Sequence, residues 1–138
     1  MEEITELLES AKTIAVVGMS KRPFRDSNRI GELLINMGYR VYPVNPTIES
    51  VHGLESFPDL KRIPEQIDIV DVFRNPRYAK EIVNEAIEVG AKAIWFQLGA
   101  EDAEAERMAR EAGLEVISGH CIAVEIRRRG ITKRLKVS

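Results

Sequence analysis

The stretch that decides the fold is "TIAVVGMSKRPFRDSNRIGELLINMGYRVYPVNP", residues 13–46. It opens with a short apolar run rich in valine, which predicts a buried strand at 13–17. A polar loop follows, and apolar residues then recur at helical spacing over 26–37. Gly38 ends that pattern, and a second apolar run begins at 40–44. A strand, a helix and a second strand in this order predict a βαβ unit with parallel strands.

The same unit recurs in the rest of the chain. "EVGAKAIWF" and "EAGLEVI" each end a helical pattern, pass through a glycine and enter a short apolar run, as expected of glycine caps at helix ends. The resulting pattern predicts strands near 68–73, 92–96 and 115–117, and helices over 76–89 and 102–112. Because the strands are hydrophobic almost throughout, we expect both sheet faces to be buried. The prediction is an α/β fold with a doubly wound five-stranded parallel sheet in the order 3-2-1-4-5.

Three segments lie outside this rhythm. Residues 1–12 are acidic and amphipathic, which predicts an N-terminal helix. Residues 46–67 contain several prolines and a glycine, so we expect little regular structure beyond a helical turn near 58–62. Residues 127–138 form a basic tail. With no linker between these parts, the 138 residues are predicted to form a single domain, 1–138.

Composition narrows the classes of function. The net charge of −2 gives no overall attraction to nucleic acid. No apolar run approaches 18 residues, and no His, Cys and Asp residues cluster at metal-ligand spacing. The only cysteine is Cys121, which excludes an internal disulfide and favours a cytoplasmic location. The 30% content of charged residues favours a heat-adapted source.

Five segments are expected at one edge of the sheet, because ligands of doubly wound sheets bind beyond the carboxyl ends of the strands. They are 18–23, 44–46, 73–76, 97–100 and 118–121. Gly18 lets the backbone approach a phosphate, and Ser20 offers a hydroxyl and an amide. The cations of this loop are Lys21, Arg22 and Arg25, and the helix that follows adds its positive N-terminal end.

The other segments offer complementary groups. Phe73 is suited to cover an adenine or an apolar tail, and Arg74 to hold a phosphate. Gly99 permits a close approach of another loop. Interpretations without a ligand remain open: the basic loop as a solvated surface, Phe73 as core, and Cys121 as an inert buried thiol.

Several familiar motifs are absent. The chain has no Gly-x-Gly-x-x-Gly, no phosphate loop ending in Gly-Lys-Ser/Thr and no Gly-x-Ser-x-Gly elbow. The second strand, "RVYPVNP", lacks the acidic residue that grips the ribose of NAD. The sequence therefore disfavours NAD and carries no catalytic signature.

Five stretches together resemble the small bacterial and archaeal coenzyme A-binding proteins. They are "IAVVGMSKRP", "GYRVYPVNP", "IDIVDVFRNP", "GAKAIWFQLGA" and "AGLEVISGHCIAVE", and they cover about residues 11–126 in family order. These proteins are stand-alone versions of the CoA-binding domain of succinyl-CoA synthetase α subunits and ADP-forming acyl-CoA synthetases. One departure is Ile122, where many relatives have proline after the cysteine.

The resemblance implies a Rossmann-like fold that binds coenzyme A (CoA). The nucleotide and its phosphates would lie on Gly18, Met19, Ser20, Lys21, Arg22 and Pro23, with Val44, Asn45 and Pro46 alongside. Phe73 and Arg74 would lie on another side, and Gln97, Leu98 and Gly99 would line the pantetheine path. Because Cys121 is expected at the same edge, a further hypothesis is that its thiol forms a mixed disulfide with that of CoA under oxidation.

The resemblance also bears on activity. The synthetases need a phosphorylated histidine from a second domain, and this sequence offers none, so we expect a cytoplasmic CoA-binding protein that is not an enzyme on its own. It would store, protect, sense or deliver CoA or acyl-CoA, with no nucleic-acid or membrane partner. Two alternatives stay open: a CoA-binding subunit of a multi-chain acyl-CoA synthetase, and an NAD(P)-binding sensor domain. A homodimer and a partner enzyme also stay open.

Overall fold

The structure is a computed structural model that describes residues 2–132. The strands are β1 (Thr13–Val17), β2 (Arg40–Val44), β3 (Ser50–Val51), β4 (Leu54–Glu55), β5 (Ile69–Val72), β6 (Ala93–Phe96) and β7 (Glu115–Ser118). The helices are α1 (Glu2–Ser10), α2 (Asp26–Met37), α3 (Ala79–Glu88), α4 (Ala103–Glu111) and α5 (Ile122–Arg128). Short 3₁₀ helices occupy Leu60–Arg62 and Pro76–Tyr78. β1, β2, β5, β6 and β7 form one parallel sheet, and β3 and β4 form a separate antiparallel hairpin.

The large sheet lies between two layers of helices, which confirms the Rossmann-like α/β prediction. Buried apolar residues of α1, α2 and α5 pack on one face, and those of α3 and α4 pack on the other. Every residue of β1, β5 and β6 is buried. The continuous hydrophobicity of these strands therefore has the cause that the sequence indicated, burial on both faces.

The strand order corrects one prediction. The large sheet runs β2-β1-β5-β6-β7, which is 2-1-3-4-5 when its five strands are counted along the chain, not 3-2-1-4-5. Pro43 explains the edge position of β2, because a residue without an amide hydrogen is confined to sheet edges. Phe57 covers this edge: its amide donates to Pro43 O (2.9 Å), and its carbonyl accepts from the amide of Asn45 (2.9 Å). The connections from β1 and β5 leave in opposite directions, so the topological switch point lies between those two strands.

Other local predictions are corrected or refined. The segment 46–67 contains the β3–β4 hairpin, whose turn places His52 and Gly53 at positive φ (52° and 77°), as in tight two-residue turns. α5 was not predicted: it reaches into the first two residues of the predicted tail, and its residues Ile122 and Ile126 are buried in the core. Residues 133–138 of the predicted tail lie outside the described part.

Within residues 2–132, none of the helices is long and apolar enough to cross a membrane.

Candidate functional site

An open cleft of about 630 Å³ lies at the switch point, between the carboxyl ends of β1 and β5 and the start of α2. It is lined by Gly18, Ser20, Arg22, Phe24, Arg25, Asp26, Ser27, Asn45 and Phe73. The lining is mostly polar, with guanidinium and hydroxyl groups on the α2 side. This is the position at which sheets of this order bind ligands.

Gly18 forms the turn that leaves β1. Its φ is +90°, a conformation that side chains other than glycine rarely adopt. Its amide donates to Val44 O (2.8 Å), which ties the turn to the end of β2. A Cβ at this position would lie 3.0 Å from Cδ of Arg74. Backbone angle and local crowding both require glycine here.

Side chains of α2 hold the β1–α2 loop, residues 18–25, against the helix. The amide of Ser20 donates to Oγ of Ser27 (2.9 Å), and the amide of Arg22 donates to Oγ of Ser20 (3.0 Å). Nδ2 of Asn28 donates to the carbonyl of Ser20 (2.8 Å). Met19 is fully buried and packs against Gly31. The loop is therefore preorganised, with its hydroxyls at the cleft wall.

The N-terminus of α2 gives the cleft positive potential. Its N-cap residue, Arg25, makes no side-chain capping hydrogen bond, so its side chain satisfies none of the first-turn amides. The guanidinium groups of Arg22 and Arg25 are on exposed residues that line the same cleft. The carboxylate of Asp26 is paired with Arg29 (3.3 Å). Amides, helix dipole and guanidinium groups together suit a phosphate.

Asn45 joins β2 to the β1–α2 loop. Its Nδ2 donates to the carbonyl of Met19 (2.9 Å), and its Oδ1 accepts from the amide and the hydroxyl of Thr47 (2.9 and 2.7 Å). In NAD-binding sheets a carboxylate at the end of this strand binds the ribose. In this chain the side chain of Asn45 holds the loop instead.

A second groove of about 290 Å³ continues beyond Phe73. Its walls are residues 73–76 and 97–100, and Phe73 borders both cavities. Leu98 is exposed at 65% and offers an apolar surface. Gln97 is buried, and its Oε1 accepts from the amide of Ile122 (3.1 Å), so this side chain holds the start of α5.

The structure divides the predicted site residues into groups. The cleft brings together Gly18, Ser20, Arg22, Arg25, Asn45 and Phe73, and the second groove brings together Phe73, Arg74, Gln97, Leu98 and Gly99.

The remaining predicted residues line neither cavity. Lys21 and Pro23 are exposed on the loop, whereas Met19 and Val44 are buried. Pro46 lines a separate pocket behind Arg74, whose guanidinium group stacks on the ring of Tyr78 (4.0 Å). Cys121 is half-buried immediately before α5.

Phe24, Asp26 and Ser27 line the cleft but were missed from the sequence. The available signal was their position, since the last residues before a helix and its first turn face an anion bound at the N-terminus.

Asp71 lies in β5, two residues before Phe73, which lines the cleft. It pairs in register with Val16 of β1 and Trp95 of β6. Burial raises the pKa of its carboxyl well above the ordinary value, and neither oxygen has a hydrogen-bond partner in the described structure. Among residues 2–132, no three His, Cys, Asp or Glu residues group as a metal site.

Comparison with known proteins adds to this geometry. The family model described as "CoA binding domain" matches residues 12–127. Uncharacterized protein YneT of Bacillus subtilis is 41% identical over 122 residues, which are 88% of this chain and 90% of that protein. A hypothetical protein from Pyrococcus horikoshii OT3 has a solved structure with a TM-score of 0.90 and 42% identity, covering 92% of this chain and 89% of that one.

A larger relative is the α subunit of ADP-forming acetate–CoA ligase II from Pyrococcus furiosus. It is 26% identical over 122 residues, which are 80% of this chain. The match spans only 27% of the ligase subunit, so most of that subunit has no counterpart in the alignment.

Proposed function

Because the chain belongs to the CoA-binding domain family, we propose that it binds coenzyme A in the cleft between β1, β5 and α2. One observation carries the proposal: a positive-φ glycine, a helix N-terminus without a side-chain cap and two arginines converge on one cavity. CoA carries a pyrophosphate and a 3′-phosphate. A site with several cations and one glycine suits this charge better than the three-glycine turn that serves NAD.

The proposed pose follows the chemistry of the walls. Ser20, Ser27, Arg22 and Arg25 hold the phosphates, and Lys21 contributes charge from the adjoining loop. The pantetheine arm passes Phe73 into the second groove, along Leu98 and Gly99. Arg74 supports the turn at Gly18, against which its side chain packs. Cys121 lies at the same edge of the sheet, beyond the arm.

We propose a cytoplasmic binding protein that stores, protects, senses or delivers CoA without catalysing a step alone. The cleft walls support this, because their hydroxyls serve loop hydrogen bonds and their one carboxylate is paired with Arg29. The lining residues include no histidine and no cysteine, the side chains that most often serve as base and activated nucleophile in acyl transfer.

Calorimetry with three ligands tests the proposal. We expect CoA to bind most tightly, dephospho-CoA less tightly and NAD least, with the advantage of the 3′-phosphate shrinking as salt screens the cations. Mass spectrometry of ligand released from the purified protein should detect CoA or an acyl-CoA. Equal affinity for NAD and CoA, or no effect of the 3′-phosphate at low salt, would overturn the proposal.

A matched pair of variants locates the site. Arg22→Ala should weaken CoA binding by about 1–3 kcal/mol, the range for hydrogen bonds to charged groups, with the lower end favoured by exposure. Arg62 is an exposed arginine outside the cleft lining, and Arg62→Ala should leave the affinity unchanged.

The similarity to a ligase α subunit favours a second candidate, a CoA-binding subunit that works with a separate catalytic chain. Co-purification of a larger partner, together with nucleotide-dependent synthesis of acyl-CoA by the pair, would support this role. Synthesis by the chain alone would contradict both candidates.

A further inference from the structure

Phe24 is an exposed aromatic residue that the fold itself does not use. Its exposure is 69%, the highest among the large hydrophobic residues of the described chain. An apolar residue just before a helix N-cap ordinarily packs against the fourth helical residue. Here the N-cap is Arg25, so the fourth helical residue is Arg29, an exposed side chain engaged with Asp26. The usual structural reason for Phe24 is therefore missing.

The surroundings of Phe24 indicate what its ring meets. The ring lines the same cleft as Arg22 and Arg25, the groups assigned to the phosphates. Aromatic side chains beside phosphate-binding cations stack on bases, because every base presents a π-face. Phe73 is less suited to this role, because it is half-buried and packs against the core.

We infer that Phe24 stacks on the adenine of bound CoA and so fixes the direction in which the ligand lies. This inference rests on the proposed function. The adenosine end occupies the outer part of the cleft, at the start of α2. The pantetheine end then leaves past Phe73 toward Leu98, whose side chain is exposed in the second groove.

Two fragments of CoA separate the two ends. Adenosine 3′,5′-bisphosphate contains the base without the arm, and 4′-phosphopantetheine contains the arm without the base. We expect Phe24→Ala to weaken CoA and adenosine 3′,5′-bisphosphate by a similar factor, about fivefold or more, and to leave 4′-phosphopantetheine unchanged. Phe24→Tyr keeps the ring and should retain the affinity, whereas Phe24→Leu should lose most of it.

Leu98→Ala provides the reciprocal variant, since it removes an exposed apolar side chain at the other end. It should weaken CoA and 4′-phosphopantetheine but not adenosine 3′,5′-bisphosphate. Val124→Ala is the neutral control, because Val124 is exposed at 41% on α5 and lines neither cavity. Thermal unfolding of each variant establishes that it remains folded.

The outcomes distinguish this inference from the proposed function. If the wild-type chain binds CoA and Phe24→Ala binds it equally well, the stacking inference is overturned and the function stands. It is also overturned if Phe24→Ala weakens 4′-phosphopantetheine as much as the bisphosphate. Failure of the wild-type chain to bind CoA would overturn the proposed function and the inference with it.

Discussion

At the scale of single residues, Asp71 and Asp68 differ in whether the carboxyl group has hydrogen-bond partners. Asp71 is completely buried without a hydrogen-bond partner in the described structure. Asp68, just before β5, accepts from the amides of Lys12 (2.7 Å) and Thr13 (3.3 Å) and pairs with Lys92 (3.5 Å). A buried polar group without a partner lowers the stability of the fold, whereas a group with hydrogen-bond partners raises it.

The first prediction compares the same substitution at both positions. Asp71→Val should raise the free energy of unfolding by about 1–3 kcal/mol, because it removes an unsatisfied group from an apolar site. Asp68→Val should lower it by a similar amount, about 1–3 kcal/mol, because two backbone amides lose their acceptor. Urea denaturation of both variants measures these changes. Destabilisation by Asp71→Val would show that the carboxyl has a partner that offsets its burial.

The stability difference between Asp71→Val and the wild-type chain should depend on pH. Native Asp71 holds its proton because burial raises its pKa, whereas the unfolded chain releases that proton above the ordinary value of 3.8. The native state therefore binds more protons, and this residue's contribution to stability falls as pH rises past 3.8, until the buried carboxyl itself ionises. The advantage of Asp71→Val should accordingly be larger at pH 7 than at pH 3.5.

The second prediction concerns the turn at Gly18. Gly18→Ala places a Cβ at a φ of +90° and 3.0 Å from Cδ of Arg74, so we expect a loss of about 1–2 kcal/mol in stability from the backbone strain and weaker CoA binding. Gly113 is the matched control: its φ is +95°, but a Cβ there would meet no atom within 4 Å. Gly113→Ala should lose stability through the same strain and leave CoA affinity intact. Equal CoA affinities in the two variants would show that the turn at Gly18 does not contribute to CoA binding.

At the scale of elements, the sequence determined where strands lie better than which strands are neighbours. β1 and β2 match the predicted ranges, because each apolar run is bounded by polar residues or a glycine. The order failed because hydrophobicity does not report hydrogen-bond partners. Pro43 was the available clue, since its missing amide hydrogen confines β2 to an edge. With β2 at the edge, β5 has to pair with β1.

α5 and the β3–β4 hairpin were missed for a different reason. The apolar residues of α5 are few and are followed by a basic stretch, so no helix was predicted there, although Ile122 and Ile126 at helical spacing face the core. The hairpin strands have two residues each, too short for any alternation to appear. For the site, the basic loop and Phe73 could be predicted from sheet topology. The position of Phe24 just before α2 was an available signal, but its exposure could not be predicted because it depends on where the helix begins.

The third prediction tests the junction of β2 with the β1–α2 loop. Asn45→Asp removes the amide that donates to the carbonyl of Met19 (2.9 Å) and places a negative charge in the cleft. Because like charges repel, we expect CoA affinity to fall about tenfold or more, equivalent to about 1.4 kcal/mol, and to recover partly as salt is added. Asn45→Ala loses the same hydrogen bond without adding charge, and its affinity should not respond to salt in this way. Identical salt dependence in both variants would exclude an electrostatic cause.

At the scale of the whole molecule, a buried charge cluster joins the two ends of the described chain. Glu125 of α5 is almost fully buried and accepts from Nε of Arg129 (2.9 Å) and Nη1 of Arg128 (3.3 Å). Arg129 also donates to the hydroxyl of Thr5 in α1 (2.9 Å). The first and last helices are thereby linked on the sheet face that carries α2. Buried residues of α2 pack in the same cluster as those of α1 and α5.

The fourth prediction follows from the different exposure of the two arginines. The side chain of Arg129 is 17% exposed and that of Arg128 is 69% exposed. Arg129→Ala leaves the buried carboxylate of Glu125 short of its main partner, so we expect a loss of about 3 kcal/mol or more in the free energy of unfolding. Arg128→Ala breaks a solvent-screened pair and should cost about 1 kcal/mol or less.

Burial opposes ionisation of Glu125, but Arg129, Arg128 and His120 outweigh it and lower its pKa below 4.5. The native state therefore binds fewer protons, so the contribution of Glu125 is fully present above pH 4.5 and declines as pH falls through the lowered pKa. Urea denaturation between pH 3 and pH 7 should show the cost of Arg129→Ala shrinking at the acid end, and a cost that does not vary with pH would assign Arg129 to packing rather than to charge.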